Sequence, residues 1–301
     1  MTILVTGSTG NIGKRVVAGL VGAGQRVRAM TRDPVAATAK LPAGVEVIHG
    51  DFERPETWAD ALNGVERVYL FSYVDPAPSS GPGFIETAVE ASVCRFVVHS
   101  AAAAGFEYQG DPEDTTLSAF RRHLAEEREF HRGIERAVEA SGAQWTHIRM
   151  GLLAAGSDWA EAVRTTGTVR APFPRSGSSL VHEADVAEIA VAALLTDEHL
   201  GAAYTLTGPE MVTQEDQVRA ISEAIGKEVT LVELTPEEAR TEWHDPAEGM
   251  DHEIIDWILE QLEASVRYPG PVPPTDTFER LTGRPPRSFT QWARDHAEDF
   301  R

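Results

Sequence analysis

Three hundred and one residues, 42% apolar and 25% charged, suffice for one large domain or two smaller ones with sizeable cores. A formal charge of −20 argues against nonspecific binding to nucleic acid or to an anionic membrane, and no apolar run approaches the length of a membrane span. The lone cysteine, Cys94, excludes an internal disulfide and suits a reducing cytoplasm; no secretory leader is visible, so a cytoplasmic protein is expected.

The chain opens on an apolar strand, Ile3-Leu4-Val5, which runs at once into Gly7-Ser8-Thr9-Gly10-Asn11-Ile12-Gly13. A helix from Ile12 to Val21 follows, with Val16, Val17 and Leu20 on one face, and Gly22 and Gly24 end it. A strand that turns directly into a helix leaves unpaired amides where the helix dipole favours an anion. Side chains there would obstruct a pyrophosphate. Gly7 is therefore read as the turn, Gly10 as the point of phosphate approach, and Gly13 as the position where helix packs on strand. The cradle so formed comprises Gly7, Thr9, Gly10, Asn11 and Ile12.

The second strand, Arg26 to Met30, leads to Thr31-Arg32-Asp33-Pro34, with Asp33 read as the cap of a helix that Pro34 opens. A third strand, Val45 to Ile48, precedes Gly50-Asp51-Phe52 and a helix from about Pro55 to Leu62. Val65 to Phe71 is the fourth strand. A Pro-, Ser- and Gly-rich loop, Asp75 to Gly83, opens a helix to about Ser92. Arg95 to His99 is the fifth strand, and Cys94 before it is read as a packed thiol. A polar loop, Glu107 to Thr116, a long helix from Leu117 to Ser141 and a sixth strand, Trp145 to Arg149, complete residues 1–150.

This alternation predicts an α/β fold: a Rossmann-type, doubly wound parallel sheet covered on both faces, with ligand at the carboxyl ends of the strands. Gly7, Arg32, Asp51, Phe71, Ser72 and Ser100 all end strands and are expected to share one crevice. About twenty residues beyond the glycine run, an acid favours NAD and an arginine accommodates a 2′-phosphate. Arg32 stands there, and its planar fork suits phosphate, so NADPH is favoured over NAD. The alternative for Arg32 is a solvated strand-end charge.

From about Gly151 the rhythm changes. Helices are expected at Thr213–Ala224, Pro236–Trp243 and Ile254–Glu263, with strands at Ala203–Leu206 and Val229–Leu234. An alanine-rich helix follows Val181-His182-Glu183-Ala184-Asp185-Val186, and Phe278, Leu281, Phe289 and Trp292 have core-like spacings. Residues 151–301 are read as a smaller mixed α/β C-terminal lobe on the substrate side, interleaved with the core rather than independent.

Several stretches together resemble the NmrA-like branch of the atypical short-chain dehydrogenase/reductases. They are VTGSTGNIG (Val5–Gly13), TRDP (Thr31–Pro34), GDFERPETW (Gly50–Trp58), VVHSAA (Val97–Ala102), FHRGIERAVEASGAQWTHIR (Phe130–Arg149), LVHEADVAEIAVAALL (Leu180–Leu195) and the tail Glu279–Phe300. The resemblance spans nearly the whole chain. It implies that Asp51 and Phe52 meet adenine, and that Phe71-Ser72-Tyr73 lies beside the ribose and nicotinamide, with Tyr73 a wall or proton donor. Ser100 matches the serine of the reductases. Their tyrosine and lysine, four residues apart on a helix, are replaced here by Glu127 and His131. His131 then either reaches the cofactor ribose and relays a proton or belongs to a solvated helix face. Ser100, His131 and Tyr73 are the expected catalytic residues. The other histidines show no metal-ligand spacing, and no metal is expected.

The family contains quinone and dye reductases and also redox sensors that bind the cofactor without turnover. The first reading is an NADPH-dependent oxidoreductase acting on a quinone, enone or similar conjugated molecule. Such an acceptor delocalises charge and needs less acid help than a ketone. Tyr73, Phe106, Tyr108, Trp159 and Phe173 offer aromatic surface to an apolar or aromatic substrate. The alternatives are a non-catalytic NADP(H) sensor acting through a protein partner, and an isomerase or epimerase that keeps its cofactor. Oligomeric state is left open.

Overall fold

A computed structural model describes residues 1–71, 81–107, 111–156, 159–267 and 272–301. In chain order the elements are β1 (Thr2–Val5), α1 (Gly13–Gly22), β2 (Arg26–Thr31), α2 (Pro34–Thr38), β3 (Glu46–His49), α3 (Trp58–Leu62), β4 (Arg67–Leu70), α4 (Phe84–Glu90), β5 (Arg95–Ala101), α5 (Ala119–Ala140) and β6 (Gln144–Met150). There follow α6 (Ala160–Thr166), β7 (Thr168–Pro172), β8 (Gly177–Ser178), α7 (Glu183–Leu195), β9 (Ala202–Leu206), β10 (Val212–Thr213) and α8 (Gln214–Ile225). The last are β11 (Thr230–Leu234), α9 (Pro236–Trp243), α10 (His252–Arg267), α11 (Thr277–Thr282) and α12 (Phe289–Asp295).

Two compact units emerge. One holds residues 1–105, 128–150 and 183–206; the other holds 106–127, 151–182 and 207–301. The first is built on a seven-stranded sheet in the order β3-β2-β1-β4-β5-β6-β9, every pairing parallel. The strand order reverses between β1 and β4, the place where such sheets open a crevice at their carboxyl ends. This is the expected Rossmann-type architecture.

The strand expected at Ala203–Leu206, read from sequence with the second half of the chain, spans Ala202–Leu206 and extends this sheet. It pairs with β6 from Thr146↔Ala202 to Met150↔Leu206, and α7 is the crossover that makes the parallel pairing possible.

Strand alternation sorts the side chains of β4 and β5 to two faces. Val68, Leu70, Phe96 and Val98 pack with Trp58, Leu62, Phe84, Ile134 and Val138 in one buried layer. The opposite face receives α7, which lies over β4, β5 and β6 and against α1. Arg95 reaches this face almost fully buried and donates to the carbonyl of Thr196 at 2.7 Å and to Gln144 Oε1 at 2.8 and 3.0 Å. It also pairs with Asp197. A guanidinium at the C-terminal end of α7 is where the helix dipole favours a cation. Cys94, one residue earlier, is exposed rather than packed, at the rim of the sheet where its backbone already bonds Glu66 and Gln144; its Sγ donates to the Glu66 carbonyl at 3.2 Å.

The second unit contains a parallel pair, β7–β11, and a short antiparallel pair, β8–β10. Thr213 and Asp216 form a capping box at the start of α8, and Thr235 and Glu238 do the same at α9, whose first residue is Pro236. Its core gathers Val169, Ile221, Phe289, Trp292 and Phe300, so the tail aromatics are indeed interior. Among the described residues no helix is long and apolar enough to cross a membrane.

Candidate functional site

The turn after β1 is shaped by two glycines. Gly7 adopts φ +59°, a conformation that side chains disfavour. A Cβ on Gly13 would lie 2.1 Å from the carbonyl oxygen of Gly7, so this glycine is demanded by the closure of the turn itself, more than by helix packing on the strand. The amide of Gly10 donates to that same oxygen at 3.1 Å. Two hydroxyls then clamp the turn to its neighbours. Thr6 Oγ1 donates to the Tyr69 carbonyl at 3.1 Å and accepts from the Phe71 amide at 2.7 Å, and Ser8 Oγ donates to the Met30 carbonyl at 3.0 Å. Helix α1 begins without a side-chain cap at Ile12 and without an acid in its first turn. The amides of Lys14 and Arg15 donate to the carbonyls of Gly10 and Ile12, so no side-chain oxygen covers the helix start, the arrangement that leaves it open to an anion.

A crevice of about 400 Å³ opens beside this turn, lined by Gly7, Thr9, Arg32, Asp51, Phe52 and Phe71 among others. Asp33 caps α2 by accepting from the Ala36 amide at 3.0 Å, with Pro34 opening the helix. That leaves Arg32 exposed at the crevice, in no ion pair among the described residues. Asp51 does not cap the helical turn at Pro55. Its Oδ1 accepts from the Glu53 amide at 3.1 Å, while Trp58 Nε1 donates to its carbonyl at 2.7 Å, which holds this strand end in place. Phe52 meets Phe84 edge to face at 5.0 Å.

Ser100 stands apart from this crevice. The register pairs Val98 with His147 and Ser100 with Arg149, so Ser100 points to the α5 face. There its hydroxyl donates to Glu135 Oε1 at 2.7 Å. Glu135 is fully buried and also accepts from Arg149 at 2.9 and 2.7 Å and from Arg132. Burial alone would raise this carboxyl; the hydrogen bonds from Arg149 and Ser100, with His147 and Arg132 nearby, overrule it and hold the pKa at about 2. Glu135, Glu139 and His147 have ligand atoms within 4.8 Å of one another. Two guanidiniums already neutralise Glu135, so the group is an ion-pair cluster by chemistry.

His99, one residue earlier, faces the other way. Its Nδ1 hydrogen-bonds Tyr69 Oη at 2.7 Å, and its ring meets Phe71 at 5.0 Å. Sequence reading passed over His99 and Tyr69. The signal was the alternation that puts Tyr69 and Phe71 on one face of β4, opposite Val97 and His99 of β5. His131 is also buried, with its ring edge-on to Phe130 at 5.2 Å. Glu127 is not its partner; it lies 3.9 Å from His123 Nε2. Ser72, Tyr73 and Tyr108 lie outside the described residues. Trp159 and Phe173 pack against apolar clusters of the second unit.

Burial, with His131 nearby, lowers the pKa of His99 to about 4. The unfolded chain therefore binds the extra proton first. The contribution of neutral His99 to stability is complete above the ordinary histidine range and is lost as pH falls from about 6.5 toward 4. Urea unfolding is expected to show roughly 2 kcal/mol less stability at pH 5 than at pH 7 from this group. His99→Gln, which cannot titrate, should show a correspondingly flatter pH dependence; an unchanged slope would contradict the assignment.

Residues 7–197 match the profile of a family described as NAD(P)H-binding. Over 99% of both chains the sequence is 32% identical to a (4-alkanoyl-5-oxo-2,5-dihydrofuran-3-yl)methyl phosphate reductase from Streptomyces griseus. It is 30% identical, over 99% of both chains, to an NAD(P)H azoreductase from Xenophilus azovorans. Among solved structures, an NADPH-dependent quinone oxidoreductase from Escherichia coli, in complex with NADPH, superposes with a TM-score of 0.70 at 21% identity, covering 97% of this chain and 98% of that one. At that identity the match concerns the fold.

Proposed function

This chain belongs to the NAD(P)H-binding family, and from that premise we propose that it is an NADPH-dependent oxidoreductase that passes hydride to a conjugated small molecule such as a quinone, an azo compound or an enone. The observation that carries the cofactor assignment is the uncapped start of α1 behind a turn that only glycine can close, with Arg32, in no ion pair among the described residues, at the same crevice.

The residues fit the group. The turn from Gly7 through Thr9, Gly10, Asn11 and Ile12 would hold the pyrophosphate, with Gly10 giving it close approach to the backbone. Arg32 pairs with a 2′-phosphate, which gives the preference for NADP(H) over NAD(H). Asp51 and Phe52 flank the adenine, and Phe71 walls the crevice where the glycine turn meets β4. When bound, the dihydronicotinamide supplies the hydride. The chain supplies orientation and a proton: His131 is the proposed proton source among the described residues, with Tyr73 beside it in role. Ser100 is reassigned to holding Glu135, because its hydroxyl is already committed there.

The acceptor class follows from what is missing. With no phenol and lysine pair on α5 to polarise a carbonyl, the acceptor must spread the incoming charge itself. A quinone, an azo bond and an unsaturated lactone conjugated to an acyl group all do so. The two full-length relatives are named as reductases of compounds of that kind, and nothing comparable supports the sensor reading.

The test is NADPH oxidation, followed by loss of the nicotinamide absorbance, with a panel of quinones, azo dyes and acyl-substituted butenolides. Turnover is expected with at least one acceptor class. Tight NADPH binding with no turnover across the panel would overturn the enzymatic reading in favour of a sensor.

A further inference from the structure

The mechanism leaves one buried polar pair unused. Tyr69 and His99 are 1% and 9% exposed and hydrogen-bond each other at 2.7 Å on the sheet face opposite α5. The His99 ring meets Phe71 at 5.0 Å with the planes inclined at 62°. Phe71 in turn presses on the glycine turn: a Cβ on Gly7 would lie 2.9 Å from Phe71 Cγ. The chain of contacts thus runs Tyr69, His99, Phe71, Gly7. Thr6 ties the same two strand ends through the backbone, so the side-chain path acts on the orientation of the Phe71 ring rather than on strand pairing.

We propose that Tyr69 and His99 are positioning residues for the cofactor: their hydrogen bond fixes the imidazole behind Phe71, which holds that ring against Gly7 and keeps the phosphate turn in its binding shape. Neither side chain lines the crevice, so both act through Phe71, which does. Tyr69→Phe keeps the ring and removes only the hydroxyl, leaving His99 Nδ1 unpaired in a dry site, where an unmet polar group is costly. His99 then has no reason to hold one ring orientation. The inference rests on reading the crevice as a nucleotide site.

The experiment uses the full chain and titrates NADPH into wild type, Tyr69→Phe, Phe71→Leu, the double variant and His99→Gln, with thermal unfolding in parallel. Tyr69→Phe is expected to raise Kd and KM for NADPH roughly five- to tenfold, the loss falling on KM rather than on kcat. In the Phe71→Leu background the same change should add nothing, because the path is already cut. His99→Gln removes the ring and should reproduce the loss, which keeps the proposal testable if Tyr69→Phe folds poorly. Equal additions in both backgrounds, or wild-type affinity in His99→Gln, would overturn it. A wild-type chain that binds no nucleotide overturns the crevice reading along with this inference; normal binding in wild type and in both variants overturns the inference alone.

Discussion

Gly13→Ala is expected to abolish useful dinucleotide binding. The added methyl carbon would sit 2.1 Å from the Gly7 carbonyl oxygen, 2.8 Å from the Gly7 carbonyl carbon and 3.0 Å from the Ser8 Cα. All three are backbone atoms, so no side chain can rotate aside. The turn cannot retreat cheaply either, because Thr6 and Ser8 anchor it to β4 and β2. Overpacking of this kind costs about 3 kcal/mol or more, which is at least about a hundredfold in Kd if it falls on the cradle. Calorimetric titration with NADPH and NADH measures the loss, and unfolding scans should show a lowered Tm. Gly22→Ala supplies the control. At the far end of the same helix an added Cβ meets nothing within 4 Å, so binding should be unchanged. If both variants bound alike, the turn would not be the cradle.

The second large effect concerns the choice of cofactor. Arg32→Glu is expected to weaken NADPH by about a hundredfold and NADH by no more than about threefold. A charge-assisted contact to phosphate contributes about 1.5–3 kcal/mol, and reversing the charge adds repulsion in a chain already at −20. That background makes a local cation matter more, since the surrounding field disfavours a polyanionic ligand. Raising the salt should narrow the gap between wild type and Arg32→Glu with NADPH, because Arg32 is exposed. Equal losses for NADPH and NADH would remove the 2′-phosphate role.

Much of the site was legible because it is written locally. Asp33-Pro34 is a helix start that any chain would use, and the structure shows that cap formed by Asp33 on the Ala36 amide. Once Asp33 is occupied as a cap, Arg32 is the residue left to face the crevice. The glycine spacing after an apolar strand and before a helix likewise carries its own geometric context. Asp51 stands at the strand end where it was expected, and its carboxylate turns back on the Glu53 amide two residues on, a local bond that short polar side chains favour.

Ser100 shows where local reading stops. Its strand-end position suggested the crevice, yet pleating points it toward α5, while His99 one residue earlier turns to the opposite face behind Phe71. A shift of one residue reverses every side chain on a strand, and the register of β5 is settled by pairings with β4 and β6 that no short window contains. The buried Glu135 that claims Ser100 is 35 residues away in sequence. Nothing in the pattern of α5 distinguishes it from the solvated glutamates beside it.

The sequence by itself therefore determined the alternating parallel architecture, the glycine turn and the arginine at its crevice. These depend on backbone conformation, capping and period, all set within a few residues. Only the tertiary structure decided that Gly13 answers to the Gly7 carbonyl, that Ser100 serves Glu135, that Ala202–Leu206 completes the sheet, and that Tyr69 and His99 stand behind Phe71. Those facts depend on which distant strands pair and in what register, and pairing is chosen by the burial of the whole sheet rather than by any segment of it.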